Sequence, residues 1–361
     1  MTRYPNTAFF TQRLLEWYVP EDRPLPWKNE SDPYRIWLSE IILQQTRVKQ
    51  GIPYYERFIK AYPTVCDLAR APEDEVMKHW EGLGYYSRAR NMMVAARTIC
   101  HNYQGNFPNT YEDIRALKGV GDYTAAAIAS FAFNLPHAVL DGNVYRVLAR
   151  FFGIDQPTNT TQAKKLFTEL AHQLLASNQA DRYNQAIMDF GATLCTPKKP
   201  DCASCPLQTH CVAYQTSRVD QLPQRKPKAP RRIRYFHFLL FNYDNQIIIR
   251  RREKKDVWQK LYEFPLLETT QLLNEDQLIQ ELKHWPLAQN TTLTIREVSK
   301  PFRQLLSHQD IRARFFEIEC SSPVQPPAET GKWISRNELS AYPFPRIIDW
   351  YLADNSLYLK L

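Results

Sequence analysis

Four cysteines crowd one short segment: Cys195, Cys202, Cys205 and Cys211, spaced C-x6-C-x2-C-x5-C. Thiolates at this density close on a metal, because soft sulfur ligands suit zinc and iron–sulfur clusters. Two disulfides are the competing arrangement, which a reducing compartment disfavours. The spacing departs from the paired CxxC pattern of structural zinc sites, although physics alone leaves zinc and a [4Fe–4S] cluster open. The other three thiols, Cys66, Cys100 and Cys320, are expected to be inert and buried.

Two carboxylates come next. Glu40 stands in Ile36-Trp37-Leu38-Ser39-Glu40-Ile41-Ile42-Leu43-Gln44-Gln45-Thr46, a helical stretch whose neighbours are apolar. Burial there raises a carboxyl pKa, since desolvation disfavours the charged form. Asp141, in Leu140-Asp141-Gly142-Asn143-Val144, opens another helix, where a lone Asp serves as a cap. Together they have the makings of one site with an acid and an anionic stabiliser. Between them lies Leu117-Lys118-Gly119-Val120-Gly121-Asp122-Tyr123-Thr124. Two glycines around a valine permit a tight turn whose amides, at the start of the next helix, bind a phosphate oxygen. By themselves the same residues also make an ordinary helix–helix turn.

The elements that must hold these groups are helical at first. Ile36–Gln50, Glu73–Trp80, Arg88–His101, Tyr123–Phe133, Val144–Phe152, Thr161–Ala176 and Tyr183–Leu194 carry apolar residues at three- and four-residue steps. Residues 215–234 contain Pro223, Pro227 and Pro230, and from Arg218 to Arg234 there are seven basic residues against one acid. Such a segment buries little and reads as a linker. Beyond it the texture turns to short β-rich runs, Tyr235–Asn242, Ile247–Arg251, Leu293–Val298 and Arg312–Glu319, with one helix at Glu275–His284. The expected organisation is a helical domain over 1–214, a basic linker over 215–234 and an α+β domain over 235–361.

Composition narrows the class. Glycine is scarce: 10 residues, where average usage gives roughly 25. Nine of the ten precede residue 192, five of them in turns (Gly82, Gly84, Gly119, Gly121, Gly142) that carry the motifs. The net charge of +8, much of it in the linker, suits a polyanionic partner. No apolar run is long enough for a membrane span, and the N-terminus lacks the pattern of a signal peptide, so a cytoplasmic protein is expected.

The SEIILQQT helix, the LxGVG hairpin, the LDGNV turn and the cysteine loop, in this order and spacing, resemble the MutY-type adenine DNA glycosylases. Leu25-Pro26-Trp27-Lys28 and Gly82–Arg90 (GLGYYSRAR) extend the likeness across residues 23–211. The resemblance implies an all-α helix-hairpin-helix glycosylase domain with one [4Fe–4S] cluster on Cys195, Cys202, Cys205 and Cys211, followed by a Nudix-like domain. It implies a monomer acting on duplex DNA, flipping adenine out of a mispair with 8-oxoguanine or guanine. By the same analogy Glu40 protonates the adenine ring and Asp141 steadies the oxocarbenium-like sugar, as paired carboxylates do in glycoside hydrolysis. Asn143 assists by hydrogen bonding. Where related glycosylase/lyases for oxidised pyrimidines carry a lysine nucleophile, this chain has Tyr123, which implies no Schiff-base step. Arg23, Leu25, Trp27, Lys28 and Gln185 match the adenine pocket, Lys28 standing where better-known members have arginine. Gln45 and Tyr85 match residues that wedge into the DNA stack, and Lys118, Gly119, Val120 and Gly121 match the phosphate-binding hairpin. Lys118 replaces the usual proline and Asp122 the usual arginine, so Asp122 is expected to add repulsion. In the last domain Ser307 and His308 match the 8-oxoguanine reader, with Leu306 and Gln304 departing from its pattern. The clustered glutamates of Nudix hydrolases are missing, so that domain is expected to bind rather than hydrolyse. A DNA-binding iron–sulfur protein with a decayed site is the non-enzymatic alternative; both carboxylates being present argues against it.

Overall fold

The computed structural model describes residues 4–227, 229–283, 291–326 and 331–355. Lys228 of the basic run and His284, the expected end of one helix, lie outside the described residues. The chain forms two compact units, Met1–Arg70 with Asn91–Pro227, and Ala71–Arg90 with Lys228–Leu361. The junction at 227/228 falls inside the expected linker. Residues 71–90, however, belong with the C-terminal unit and not with the helical one. Polar contacts tie them there: Arg251 Nη2 donates to Glu73 Oε2 at 2.8 Å, Arg90 Nη1 to the Gln259 carbonyl at 2.6 Å, and the Tyr262 hydroxyl to Asp74 Oδ2 at 3.2 Å.

In chain order the helices up to the junction are α1 (Thr7–Trp17), α2 (Pro33–Leu43), α3 (Val48–Ala61), α4 (Val65–Arg70), α5 (Glu73–Trp80), α6 (Ser87–Asn102), α7 (Tyr111–Ala116), α8 (Asp122–Phe133), α9 (Gly142–Phe152), α10 (Thr161–Leu174), α11 (Ala180–Thr193) and α12 (Val212–Gln215). Helix α2 starts where Asp32 accepts from the Tyr34 amide at 2.9 Å and Pro33 fills the first helical position, where a missing N–H does no harm. It then buries Ile36, Trp37, Leu38, Ser39, Glu40, Ile41 and Ile42 almost all round, which leaves Glu40 largely desolvated. The sequence predicts one helix over Ile36–Gln50. Instead α2 ends at Leu43 and α3 begins at Val48, because Gln45 takes a left-handed conformation (φ 59°) that a helix cannot continue through.

Helix α8 packs on α2 and α11, its small buried residues Ala125, Ala126, Ala127 and Ala129 allowing close approach on more than one side. Helix α11 also packs on α9, over a core that includes Phe10, Leu14, Val147, Leu148, Phe151, Phe167 and Phe190. The α9–α11 contact requires Gly191: a Cβ there would lie 2.7 Å from Asn143 Cβ. Cys66 of α4 and Cys100 of α6 are joined as a disulfide, their Cα atoms 5.6 Å apart. They are therefore not the inert free thiols expected from sequence; two adjacent helices bring them into bridging range. Cys320 is free and buried.

The second unit is built on a mixed sheet. Its strands are β1 (Arg232–Tyr243), β2 (Gln246–Arg251), β3 (Tyr262–Glu263), β4 (Leu266–Thr269), β5 (Leu293–Val298), β6 (Phe302–Leu305), β7 (Gln309–Cys320) and β8 (Gly331–Ser335). The main order is β3-β2-β1-β7-β5, with β4 on β1, β6 on β7 and β8 on β2. The long central strands β1 and β7 run parallel and the other pairs antiparallel. Leu239, Phe241, Phe316 and Ile318 of this pair pack against α13 (Glu275–Leu282), and α14 (Arg346–Asp354) is the last described helix. No described helix is long and apolar enough to cross a membrane.

Candidate active site

One cavity of about 550 Å³ opens in the helical unit, between α2, α11, the starts of α8 and α9, and the segment 23–28. That is ample for a single base. Glu40, Tyr123, Asp141 and Asn143 all line it. So do the expected pocket residues Arg23, Leu25, Trp27, Lys28 and Gln185, and Gln45 at the rim.

Burial sets the electrostatics. Glu40 is 6% exposed, and desolvation pushes its carboxyl up to about 7. The nearby Asp141 charge adds to the rise, and the interaction with Tyr123 opposes it. At neutral pH a substantial share of Glu40 therefore carries a proton it can donate. Burial also raises the Tyr123 hydroxyl well above its ordinary range, with the Glu40 and Asp141 charges pushing the same way. Tyr123 stays neutral. Asp141 caps α9: its Oδ1 accepts from the Asn143 amide at 2.8 Å and the Val144 amide at 2.7 Å, and its Oδ2 from Asn143 Nδ2 at 3.0 Å. Burial raises its carboxyl, and these hydrogen bonds pull back toward the ionised form. A buried carboxyl and a half-buried one thus sit in one cavity, the first partly protonated at neutral pH and the second held by donors that favour its anion.

The hairpin Leu117–Gly121 leads into α8, whose N-cap is Gly121. Gly119 has φ 83° and lies where a Cβ would come within 2.7 Å of Asn91 Cβ, so no other residue fits this turn. Lys118 is exposed beside it and Val120 is buried. Asp122 does not act as the repulsive group expected. Arg115 Nε bonds its Oδ1 at 2.6 Å and Lys164 Nζ its Oδ2 at 2.5 Å. Two cations against one carboxylate leave the hairpin start net positive.

Gln45 and Tyr85 are both exposed and both left-handed, with φ of 59° and 48°. Strain of this kind in non-glycine residues collects at functional sites. In the second unit the Tyr85 hydroxyl contacts Ser307 Oγ. Ser307 and His308 are exposed in the turn between β6 and β7, held by the Leu306 carbonyl accepting from Arg231 Nε at 2.8 Å. Among the described residues the buried Gln304 Oε1 finds no hydrogen-bond partner.

The four cysteines ring a small, mostly apolar cavity with Val147, Phe151 and Leu207. Among the described residues no group of three or more His, Cys, Asp or Glu side chains is drawn together closely enough to hold a metal ion. Arg150, 3% exposed, donates to Cys195 Sγ at 3.4 Å and to the Thr196 carbonyl at 2.8 Å. A buried cation aimed at sulfur fits thiolates carrying charge. As free thiols Cys205, raised to about 12 by burial, and Cys211 would stay protonated. Arg146 links this loop to the cavity: it bonds the Cys195 carbonyl at 2.8 Å, the Gly191 carbonyl at 2.5 Å and Asn143 Oδ1 at 2.9 Å.

Asp189 is a charged cavity residue that sequence reasoning misses; it pairs with both Arg23 and Lys28. Its only sequence signal is its place four residues after Gln185 on a helix.

Residues 38–173 match the HhH-GPD superfamily base excision DNA repair protein family, and residues 236–354 match the NUDIX domain family. An adenine DNA glycosylase of Buchnera aphidicola subsp. Baizongia pistaciae is 34% identical over 353 residues, covering 97% of this chain and 93% of that protein. The Homo sapiens adenine DNA glycosylase is 31% identical over 389 residues, 91% of this chain and 70% of the relative. Among solved structures, a thermostable thymine-DNA glycosylase aligns with TM-score 0.54 and 31% identity over 58% of this chain and 97% of that one. A trapped endonuclease III–DNA intermediate aligns at 0.52 and 20% identity, over 60% and 99%, which speaks to the fold alone. With relatives matching almost end to end and a helical unit of the same fold, this chain belongs to the adenine DNA glycosylase family, base excision repair enzymes of the HhH-GPD superfamily, and carries a Nudix-like domain after the helical one.

Proposed function

We propose that this protein excises adenine from its mispair with 8-oxoguanine or guanine in duplex DNA, hydrolysing the N-glycosidic bond and leaving an intact abasic site. One observation carries the reading: a buried Glu40 raised to about 7 shares a cavity with the hydrogen-bonded Asp141. Glu40 protonates the flipped base and so turns it into a leaving group. Asp141 stabilises the cationic sugar until water adds. Tyr123 offers no amine, so the sugar forms no Schiff base. The hairpin amides with Lys118 hold a backbone phosphate, and Gln45 and Tyr85 fill the stack around the displaced bases. Ser307, which the Tyr85 hydroxyl contacts, and His308 read the 8-oxoguanine.

Single-turnover assays on duplexes carrying adenine opposite 8-oxoguanine, guanine or thymine test this directly. Strand breaks should appear only after alkali, and Ser307→Ala with His308→Ala should shrink the preference for 8-oxoguanine by about tenfold, the worth of one or two hydrogen bonds. Breaks without alkali, or an unchanged preference in the double variant, would overturn the corresponding assignment.

Cys195, Cys202, Cys205 and Cys211 hold a [4Fe–4S] cluster in this reading. When bound, the cluster is a structural clamp that orders residues 195–211; the catalytic groups lie elsewhere. Iron and inorganic sulfide should be found in equal amounts in the purified protein, and Cys205→Ser should lose both and lower Tm. Stoichiometric zinc with no sulfide would rule the cluster out.

A further inference from the structure

Asp189 lies in α11, 5% exposed, on the wall of the cavity. Its carboxylate is shared by two cations. Arg23 Nη1 donates to Oδ1 at 2.6 Å, and Lys28 Nζ donates to Oδ2. The two are not equivalent. The Lys28 side chain is 4% exposed, and its Nζ also sits over the Tyr18 ring, 5.2 Å from the centroid. Its charge is thus balanced between a carboxylate and an aromatic face. Arg23 keeps 25% of its side chain exposed, and among the described residues it bonds Asp189 through Nη1 alone. Its remaining N–H groups are available to the cavity it lines.

We infer that Asp189 is a positioning residue for base selection, holding Lys28 as a buried counter-ion and turning the Arg23 guanidinium so that its free donors meet the acceptor edge of the flipped base. The inference rests on the adenine pocket proposed above and divides its two cations into different roles. A guanidinium only donates. Adenine offers it an unprotonated N1. Hypoxanthine has nearly the same size and the same N7, but carries N1–H there, so donor would face donor in a buried site. Gln185, one helical turn before Asp189 and lining the same cavity, supplies an amide oxygen for the adenine amino group. Asp189 touches no reacting atom. It acts by fixing where Arg23 points, which matters because a guanidinium with one anchored nitrogen keeps the others in a known plane.

The test compares single-turnover excision of adenine and of hypoxanthine opposite 8-oxoguanine, with binding to a duplex containing a non-cleavable adenosine analogue as the second readout. For Asp189→Asn the adenine-to-hypoxanthine rate ratio should fall about ten- to a hundredfold, the discrimination one well-made base contact supplies. Asp189→Glu should recover part of it. Arg23→Met should lose the ratio as Asp189→Asn does, whereas Lys28→Met should slow both bases by a common factor. A ratio left intact in Asp189→Asn while both rates fall together would mean a merely structural residue and overturn the inference, as would loss of the ratio in Lys28→Met but not in Arg23→Met. Arg23→Met keeps the question open to refutation if Asp189→Asn does not fold. Unaltered protein that leaves adenine in place would overturn the proposed function, and this inference with it; normal adenine excision with an unmoved ratio overturns the inference alone.

Discussion

Glu40→Gln is expected to lower single-turnover adenine excision by about 10²–10⁴-fold, the range of one lost general acid, while binding to the mispaired duplex stays near that of the unaltered protein. The amide keeps the shape of the side chain and cannot supply the proton. Stability provides a second, independent readout. The folded Glu40 carboxyl is raised from 4.5 to about 7, so the fold favours its neutral form. Below the unfolded value both states hold the proton and nothing is lost. Between roughly pH 4.5 and pH 7 the unfolded chain releases a proton that the folded protein keeps, so stability declines across that window, by about 3 kcal/mol once pH exceeds 7. Glutamine has no such decline. The variant should therefore be more thermostable than the parent at pH 8 and equal to it at pH 4. In the parent, excision should fall as pH rises through about 7, a limb set by the burial of Glu40 with Tyr123 and Asp141 beside it. Near-normal turnover in Glu40→Gln, or lower stability at pH 8, would remove Glu40 as the acid.

Much of this site is readable in the chain because each piece announces itself locally. The apolar setting of Glu40, the cap position of Asp141 and the turn around Gly119 are all set by neighbours within a few residues. What the sequence hides comes from distant segments. Asp189 looks like any polar residue on an amphipathic helix until residues 23–28 fold over it. Asp122 looks repulsive because Arg115 and Lys164, on two other helices, are not visible as its partners. The end of α2 is hidden for a related reason: the apolar rhythm runs on through Ile41, Leu43 and Val48, and no proline or glycine interrupts Gln44–Arg47. The break is held by tertiary contact, with Gln44 Nε2 donating to Thr124 Oγ1 at 3.3 Å. Likewise the Cys66–Cys100 pairing, 34 residues apart in sequence, and the grouping of 71–90 with the C-terminal unit depend on packing that periodicity does not report.

Asp141→Asn should be the cleanest removal of charge from the site, with excision falling about 10²–10³-fold, comparable to losing a preorganised electrostatic contact in other enzymes. Asp141 has two jobs that the substitution separates. As the cap of α9 it accepts from the Asn143 and Val144 amides, and asparagine, an equally good N-cap, keeps an oxygen in that place. As the anion facing the sugar it supplies a negative charge that asparagine lacks. The fold should therefore survive with Tm nearly unchanged, whereas Asp141→Ala should lose the cap as well, at about 1 kcal/mol. The same carboxyl sets the acid side of the pH profile. Its pKa is raised above 3.8 by burial, so activity should fall on acidification at a pH higher than an ordinary aspartate would give, and with the Glu40 limb near 7 the profile should be bell-shaped. In Asp141→Asn the acidic limb should disappear from whatever activity is left, since no titrating group remains at that position. If instead Asp141→Asn excises normally and only Asp141→Ala is impaired, Asp141 is a helix cap and nothing more, and the cationic sugar must be stabilised by another group.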